Sequence, residues 1–370
     1  MGVFDFTRVY AAYRQCRRRK RHTANAQRYE VCLLNNLWTT VQRLKEYTWQ
    51  PARSIFFIAL KPKAREIHAA DFADRVVHHA LVPPLEALFE PIFIHDCYSN
   101  RKNKGTHKAV KRLQSFMKSN LDRYGKANYL QLDVRSFFNS IHRPLLFQLI
   151  NHRLGKAVRQ GKIPASQARE LSWCCHVLLK HELADNLIKK GPEWTFGRVP
   201  EYKRLTQVGK DYGLPIGNLT SQFYANVYLN ELDQYVKHTL KCQCYVRYVD
   251  DMVLVHHDAT QLDHWRHQIE AFLHDRLKLA LKQDYCLESV SDGADYLGYI
   301  VRPGYLLVRR RVVGNLLHKL RQFEQEIVHV LNNGVGACLL YLEPDRRERL
   351  RATLASYLGH LKHANSIRLI

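Results

Sequence analysis

Residues 245–253 read Tyr-Val-Arg-Tyr-Val-Asp-Asp-Met-Val, so that Asp250 and Asp251 stand side by side in an apolar and aromatic run. A strand entering a core should not carry adjacent carboxylates, because burying an unpaired charge is costly. The arms "YVRYV" and "MVLV" are β-prone, whereas Asp is disfavoured in strands and tolerated in turns. The run therefore reads as strand–turn–strand with both carboxylates at the tip. Two carboxylates a few ångström apart repel unless a cation lies between them. Mg²⁺ is the natural ion, being hard and accustomed to sharing its shell with phosphate oxygens. Taken alone, the pair also fits a solvated hairpin tip.

A third carboxylate narrows the choice. Asp133 ends another apolar strand, in "LQLDVRSFF". If Asp133 and Asp250 lie on neighbouring strands, they form a two-metal clamp, with the Val134 carbonyl as a further oxygen donor. One ion then activates a 3′-hydroxyl and the other holds a triphosphate.

The charge balance agrees with a polyanionic partner. The chain of 370 residues has 57 Lys and Arg against 34 Asp and Glu, a formal charge of +23. Three basic runs stand out, at Arg17–Arg21, Arg101–Lys104 and Arg309–Arg311. The strongest apolar stretch, Ser54–Leu60, is far too short to span a bilayer. No secretory leader is evident, and the nine cysteines have neither disulfide-framework nor zinc spacing. A cytoplasmic protein with reduced thiols is expected, without a membrane partner.

Helical spacing is read over residues 25–48, 165–190, 219–240 and 261–281, and in two closing helices near 312–333 and 344–363. Residues 54–60 read as a buried strand. Pro83-Pro84 reads as a helix break or start, 189–213 as a long loop, and "ADYLGYIVRPGYLLV" as a hairpin. Helices and hairpins without regular alternation suggest an α+β fold.

These motifs together resemble reverse transcriptases. "YVDD" after "YVR", with "LDVRSFFNSI" upstream, is similar to motifs C and A of that family. The likeness continues through "KPKAREIHAADFADRVVHHAL", "SNRKNKGTHKAV", "GLPIGNLTSQFYANVYLNELD" and "DGADYLGYIV", in the family's order. It implies a right-hand polymerase with fingers, palm and helical thumb. The N-terminal helical extension and fingers would take residues 1–127, the palm 128–150, further fingers and an insert 151–212, the palm again 213–303, and the thumb 304–370. Asp133, Asp250 and Asp251 match the metal-binding triad, serving two Mg²⁺ ions for which Mn²⁺ can substitute. Phe138 matches the steric gate that excludes a ribose 2′-OH, and one of Phe137 and Phe138 should be core. The gate speaks for a DNA product rather than an RNA polymerase.

Further roles follow from the resemblance. Lys63 and Arg65 match positions gripping the incoming triphosphate, and Ile216, Gly217 and Gln222 belong to the dNTP site. Arg101, Lys102, Lys104 and Gly105 would hold nucleic-acid backbone, joined by Arg17, Arg18, Arg19, Arg309 and Arg310. Lys282 lacks the neighbouring proline of motif D and is expected to be an exposed lysine. "IGNLTSQ" departs from the common QGxxxSP at Ile216 and Gln222. That form resembles diversity-generating retroelement enzymes, and some phage-defence reverse transcriptases share it. The insert "KKGPEWTFGRVPEYKRL" has no counterpart in the resemblance to the diversity-generating retroelement enzymes.

The expected function is RNA-directed DNA synthesis on a dedicated noncoding template RNA, with a DNA or RNA primer, dNTPs and an accessory protein encoded alongside. The alternatives are an antiphage-defence reverse transcriptase and a non-catalytic RNA-binding protein. The chain ends soon after the thumb, so maturase, ribonuclease H and endonuclease extensions are not expected.

Overall fold

The computed structural model describes all residues except 1, 19, 62, 183–186, 331–337, 341–342 and 366–370; for 202, 327–330 and 338–340 it describes the backbone alone. The first helix, α1 (Phe6–Arg17), is capped by Asp5, whose carboxylate accepts the Arg8 N–H at 2.9 Å. Helical spacing over 25–48 resolves into α2 (Ala24–Val31) and α3 (Leu33–Lys45), parted at Cys32. Strands β1 (Ser54–Ala59) and β2 (Arg65–Ala69) pair antiparallel from Ile55↔Ala69 to Ala59↔Arg65.

Helix α4 (Phe72–Phe89) contains Pro83 and Pro84 in its interior, so the expected break is absent. An interior proline costs about 3 kcal/mol. Val82, Leu85 and Leu88 remain buried around the pair, and packing holds the helix together through it. Helix α5 (Thr106–Tyr124) starts after Gly105 at φ +114° and stops at Gly125 at φ +71°, the left-handed C-terminal cap that glycine adopts without strain. Next come β3 (Asn128–Leu132), the short α6 (Phe137–Ser140), α7 (Arg143–Arg159) and α8 (Ala165–Lys180).

The helical expectation for 165–190 thus ends at Lys180. Strand β4 (Leu187–Lys189) follows and pairs parallel with β1. Three short 3₁₀ turns cover Glu193–Arg198, Glu201–Lys203 and Leu205–Gln207, so 189–213 is structured rather than an open loop. Helix α9 (Leu219–Gln234) is buried nearly all round and runs into a π turn at Tyr235–Thr239. Strands β5 (Tyr245–Tyr248) and β6 (Asp251–His256) form the expected hairpin, followed by α10 (Ala259–Leu277). Then come β7 (Cys286–Ser289), β8 (Ala294–Tyr296), β9 (Tyr299–Val301) and β10 (Leu306–Val308). The last three make a three-stranded meander in place of the expected two-stranded hairpin. Helix α11 (Arg310–Ile327), strands β11 (Val328–Val330) and β12 (Cys338–Leu340), and α12 (Pro344–Leu361) close the described chain.

The chain forms two compact units, each discontinuous in sequence. One comprises Met1–Asn100, Asp133–Cys242 and His267–Gln283, and holds the sheet β2-β1-β4. The other comprises Arg101–Leu132, Gln243–Arg266 and Asp284–Ile370, and holds the four-stranded sheet β5-β6-β3-β7. In the second unit β3 lies between β6 and β7, antiparallel to both, and α5 packs on β5 and β6. Tyr129, Leu130, Leu132, Val246 and the run Met252–Val255 are all buried. Among the described residues eight cysteines are free thiols, and no helix is long and apolar enough to cross a membrane.

Candidate active site

The β5–β6 hairpin closes with two residues, Val249 and Asp250, because Tyr248 pairs with Asp251. Val249 has φ +58°. That is the left-handed region, where glycine is the usual residue and a β-branched side chain is strained. The strain is braced from below. Arg247 is fully buried in β5 and donates its Nη1–H to the Val249 carbonyl at 2.8 Å. A buried guanidinium beside the turn fixes where Asp250 and Asp251 are presented.

Asp133 is the residue that directly follows β3 in the chain. Leu132 pairs with Met252, and the strands are antiparallel. The paired register ends there, and Asp133 begins the next segment, which belongs to the other unit. Beyond the sheet, the Asp133 carbonyl accepts the Lys282 N–H at 2.9 Å, and the Arg135 N–H donates to the Ala280 carbonyl at 2.8 Å. Val134, buried at 1% exposure, bridges to Leu281.

The Lys282 ammonium bonds Asp133 Oδ2. This corrects the expectation of an exposed lysine: its backbone is anchored on Asp133 and its cation neutralises that carboxylate. Asp133 Oδ1 is buried and has no hydrogen-bond partner among the described residues. An orphaned hard oxygen fits a divalent cation. Among the described residues no three His, Cys, Asp or Glu side chains are already gathered closely enough to hold a metal.

The two phenylalanines after Asp133 divide as the sequence implies. Phe137 is 2% exposed and belongs to the core, whereas Phe138 is half-buried, with the rings edge to face at 5.4 Å. The segment entering α9 pins this turn. The Gly213 N–H donates to the Ile141 carbonyl at 2.9 Å and the Leu214 N–H to the Phe138 carbonyl at 2.7 Å.

Residues 216–218 are stitched to β2. The Ile216 carbonyl accepts the His68 N–H at 3.0 Å, and buried Asn218 accepts the Ala70 N–H through Oδ1 at 3.0 Å. Gly217 has φ +119°, and a Cβ there would stand 3.1 Å from Ile67 Cγ2, so only glycine fits without displacement. Gln222 is exposed in the first turn of α9. Lys63 and Arg65 are exposed, at the β1–β2 turn and the start of β2.

Beneath this loop lies a cavity of about 40 Å³ lined by Asp74, His78, His181, Thr220 and Tyr224, among others. Burial pushes the Asp74 carboxyl up to about 7 despite the hydrogen bond it accepts from the Ala52 N–H at 2.8 Å. Burial pushes His78 down to about 3, and its Nδ1 shares a 2.7 Å hydrogen bond with the Thr220 hydroxyl.

The basic runs are placed unevenly. Arg17 is paired with Glu30, and Arg18 is exposed at the end of α1, while Arg19 lies outside the described residues. Lys102 is exposed, and Arg101, Lys104 and Gly105 are partly exposed in the segment leading into α5. Arg309 bonds Asp295, and Arg310 is exposed as the first residue of α11. Residues missed by sequence reasoning are Arg247, Asn218 and the Lys282 pairing. The available signal was Arg247 itself, a charge inside an apolar β arm.

Two curated proteins are similar to this chain. The group II intron-encoded protein LtrA of Lactococcus lactis subsp. cremoris is 25% identical over 303 residues, covering 71% of this chain and 49% of that protein. Protein YkfC of Escherichia coli (strain K12) is 22% identical over 316 residues, covering 76% and 75%. The chain thus spans about half the length of the intron-encoded relative. Among solved structures, apo telomerase from Candida tropicalis, truncated from its C-terminal domain, aligns over 75% of this chain and 60% of that one, with a TM-score of 0.49 and 8% identity. Telomerase from Candida albicans in complex with a fragment of telomeric RNA aligns over 90% and 60%, with a TM-score of 0.48 and 11% identity. A model of the reverse transcriptase (RNA-dependent DNA polymerase) family matches residues 59–301, from the β1–β2 hairpin through β9. The α+β class stands, with the right-hand polymerase fold of that family. With well over half of its residues inside the match, the chain belongs to the reverse transcriptase family.

Proposed function

We propose that the chain is an RNA-directed DNA polymerase in which Asp133, Asp250 and Asp251 hold the divalent ions of nucleotidyl transfer. The observation that supports this reading is the pair Asp250 and Asp251 at the tip of the β5–β6 hairpin, together with Asp133 as the residue that directly follows β3, the strand paired with β6. Mg²⁺ bound there would lower the charge on the triphosphate and on the attacking 3′-oxygen. The chain's own residues then act by positioning. Arg247 holds the turn carrying Asp250 and Asp251. Phe138, beside core Phe137 and pinned through its carbonyl, would be the side chain that excludes a ribose 2′-OH. Lys63 and Arg65 meet the phosphates.

One observation favours a second reading. The Lys282–Asp133 ion pair supplies a cation from within, as a non-catalytic RNA-binding protein could tolerate. A purified-protein extension assay separates the two. Mg²⁺-dependent dNTP incorporation on an RNA template, lost in Asp250→Asn and Asp133→Ala while RNA binding persists, supports the polymerase. Equal incorporation by either variant refutes it.

For the biological setting, Ile216 and Gln222 support a diversity-generating retroelement with its own template RNA and accessory protein. Ile216 cannot hydrogen-bond near the nascent pair as a glutamine would, which loosens base selection. Adenine-biased errors in sequenced cDNA are the expected result. Accurate or repetitive cDNA would instead support an antiphage-defence enzyme with its own noncoding RNA.

A further inference from the structure

The insert between α8 and α9 is the feature that the family resemblance leaves unused. It is built into the β2-β1-β4 sheet. Strand β4 pairs parallel with β1 from Ser54↔Leu187 to Phe56↔Lys189, and the Lys190 N–H donates to the Phe56 carbonyl at 2.8 Å. Phe196 stacks on Phe56 at 5.2 Å, and Phe56 in turn lies 5.0 Å from the His68 ring. Buried Glu66 of β2 accepts the Leu205 N–H at 2.7 Å. At the far end Leu205 and Val208 close over Gly213, whose φ is +90°.

The parallel pairing has a directional consequence. Strands β1 and β4 run the same way, so the chain after Lys189 leaves the sheet beside Phe56, heading toward the end where β1 turns into β2. That turn carries Lys61 and Lys63. The emerging segment exposes Ile188, Lys189, Lys190, Trp194 and Arg198, with Trp194 61% exposed. Arg198 lies 5.7 Å from the Trp194 ring centroid, a cation against one face of the indole. Residues 187–210 hold six basic side chains and two acidic ones.

We propose that residues 187–198 form a grip for the single-stranded part of an RNA template, with Lys189 and Lys190 on its phosphates and a base stacked on the open face of Trp194. Bases stack on exposed aromatic rings regardless of sequence, and basic grooves track the backbone. Charge complementarity favours RNA over an apolar protein partner, since exposed Lys189, Lys190 and Arg198 outnumber the one exposed carboxylate of the segment, Glu193. The inference rests on the polymerase reading, because it supplies the template that reading requires.

The test uses the full chain without dNTPs. Anisotropy measures binding of a labelled RNA–DNA hairpin, blunt or with a ten-nucleotide 5′ RNA overhang. The wild type is expected to prefer the overhang. Trp194→Ala should lose roughly tenfold on the overhang substrate and nothing on the blunt one, while Trp194→Phe keeps most of the affinity. Lys189→Ala with Lys190→Ala should flatten the salt dependence on the overhang substrate. Trp194 is exposed, so thermal midpoints should not move. No overhang preference in the wild type, or an equal loss on both substrates in Trp194→Ala, overturns the proposal. Extension by the wild type with Trp194→Ala binding unchanged refutes the grip and leaves the polymerase standing. A Trp194-dependent overhang preference without extension does the reverse.

Discussion

Replacing Arg247 by Met isolates the device that presents the paired aspartates. Met keeps much of the apolar volume in a fully buried position and removes the donor at 2.8 Å from the Val249 carbonyl. A hydrogen bond from a charged group is worth about 1.5–3 kcal/mol. Val249 at φ +58° stores about 1–3 kcal/mol of strain that this bond helps to hold. The turn residues are only half-buried, so water can take over the carbonyl, and a net loss near 2 kcal/mol is expected. Against a total of about 5–15 kcal/mol the protein stays folded. Activity should suffer more, because moving a reacting group by about 1 Å can cost on the order of a hundredfold. The assay pairs the urea midpoint, at unchanged slope, with single-nucleotide incorporation on an RNA template. Ile150→Val, a core change of about 1 kcal/mol, is the control that loses stability and keeps activity. If Arg247→Met loses activity only in proportion to its unfolded fraction, or leaves the midpoint unmoved, the bracing argument is wrong.

Phe138→Ala should raise ribonucleotide use at least about tenfold, read from NTP against dNTP incorporation, whereas Phe137→Ala should cost about 3–5 kcal/mol of stability as a core truncation. Unchanged sugar selectivity in Phe138→Ala would remove the gate. Lys282→Met leaves Asp133 without its cation, a part-exposed pair worth about 1 kcal/mol or less; added Mg²⁺ should then raise the thermal midpoint more in the variant than in the wild type, and equal shifts would contradict the placement of metal at Asp133. Asp74 binds its proton more tightly folded, at about 7, than unfolded, near 3.8, so its contribution to stability is present below the lower value and lost as pH rises toward the upper. Asp74→Asn should therefore flatten the decline of the urea midpoint between pH 5 and 8, and an identical slope would refute the raised carboxyl.

The parts of the site that could be read in the sequence are those whose cause is local. The β5–β6 hairpin follows from β-prone arms around two turn-compatible aspartates, and Asp133 from the end of an alternating strand. The parts that could not be read depend on partners far along the chain. Strand β4 is only three residues long and exists because Leu187 meets Ser54 across more than a hundred residues. The helix through Pro83 and Pro84 survives because its apolar side chains are buried, which no local rule announces. Lys282 reads as a surface lysine until the Val134–Leu281 bridge brings its backbone onto Asp133. Arg247 is the instructive case. An arginine in a strand suggests a solvent-facing position, yet Tyr245, Val246 and Arg247 are all fully buried, and α5 packs on β5 and β6. A guanidinium enters such a place only when hydrogen bonds and charge repay its desolvation. Among the described residues one repayment is the Val249 carbonyl, at the turn where strain and two carboxylates coincide. A motif that looks like a contradiction in sequence, charges inside an apolar arm, is thus a buried cation bonded to the turn that carries two carboxylates, and a substitution that repaired the contradiction would remove that bond.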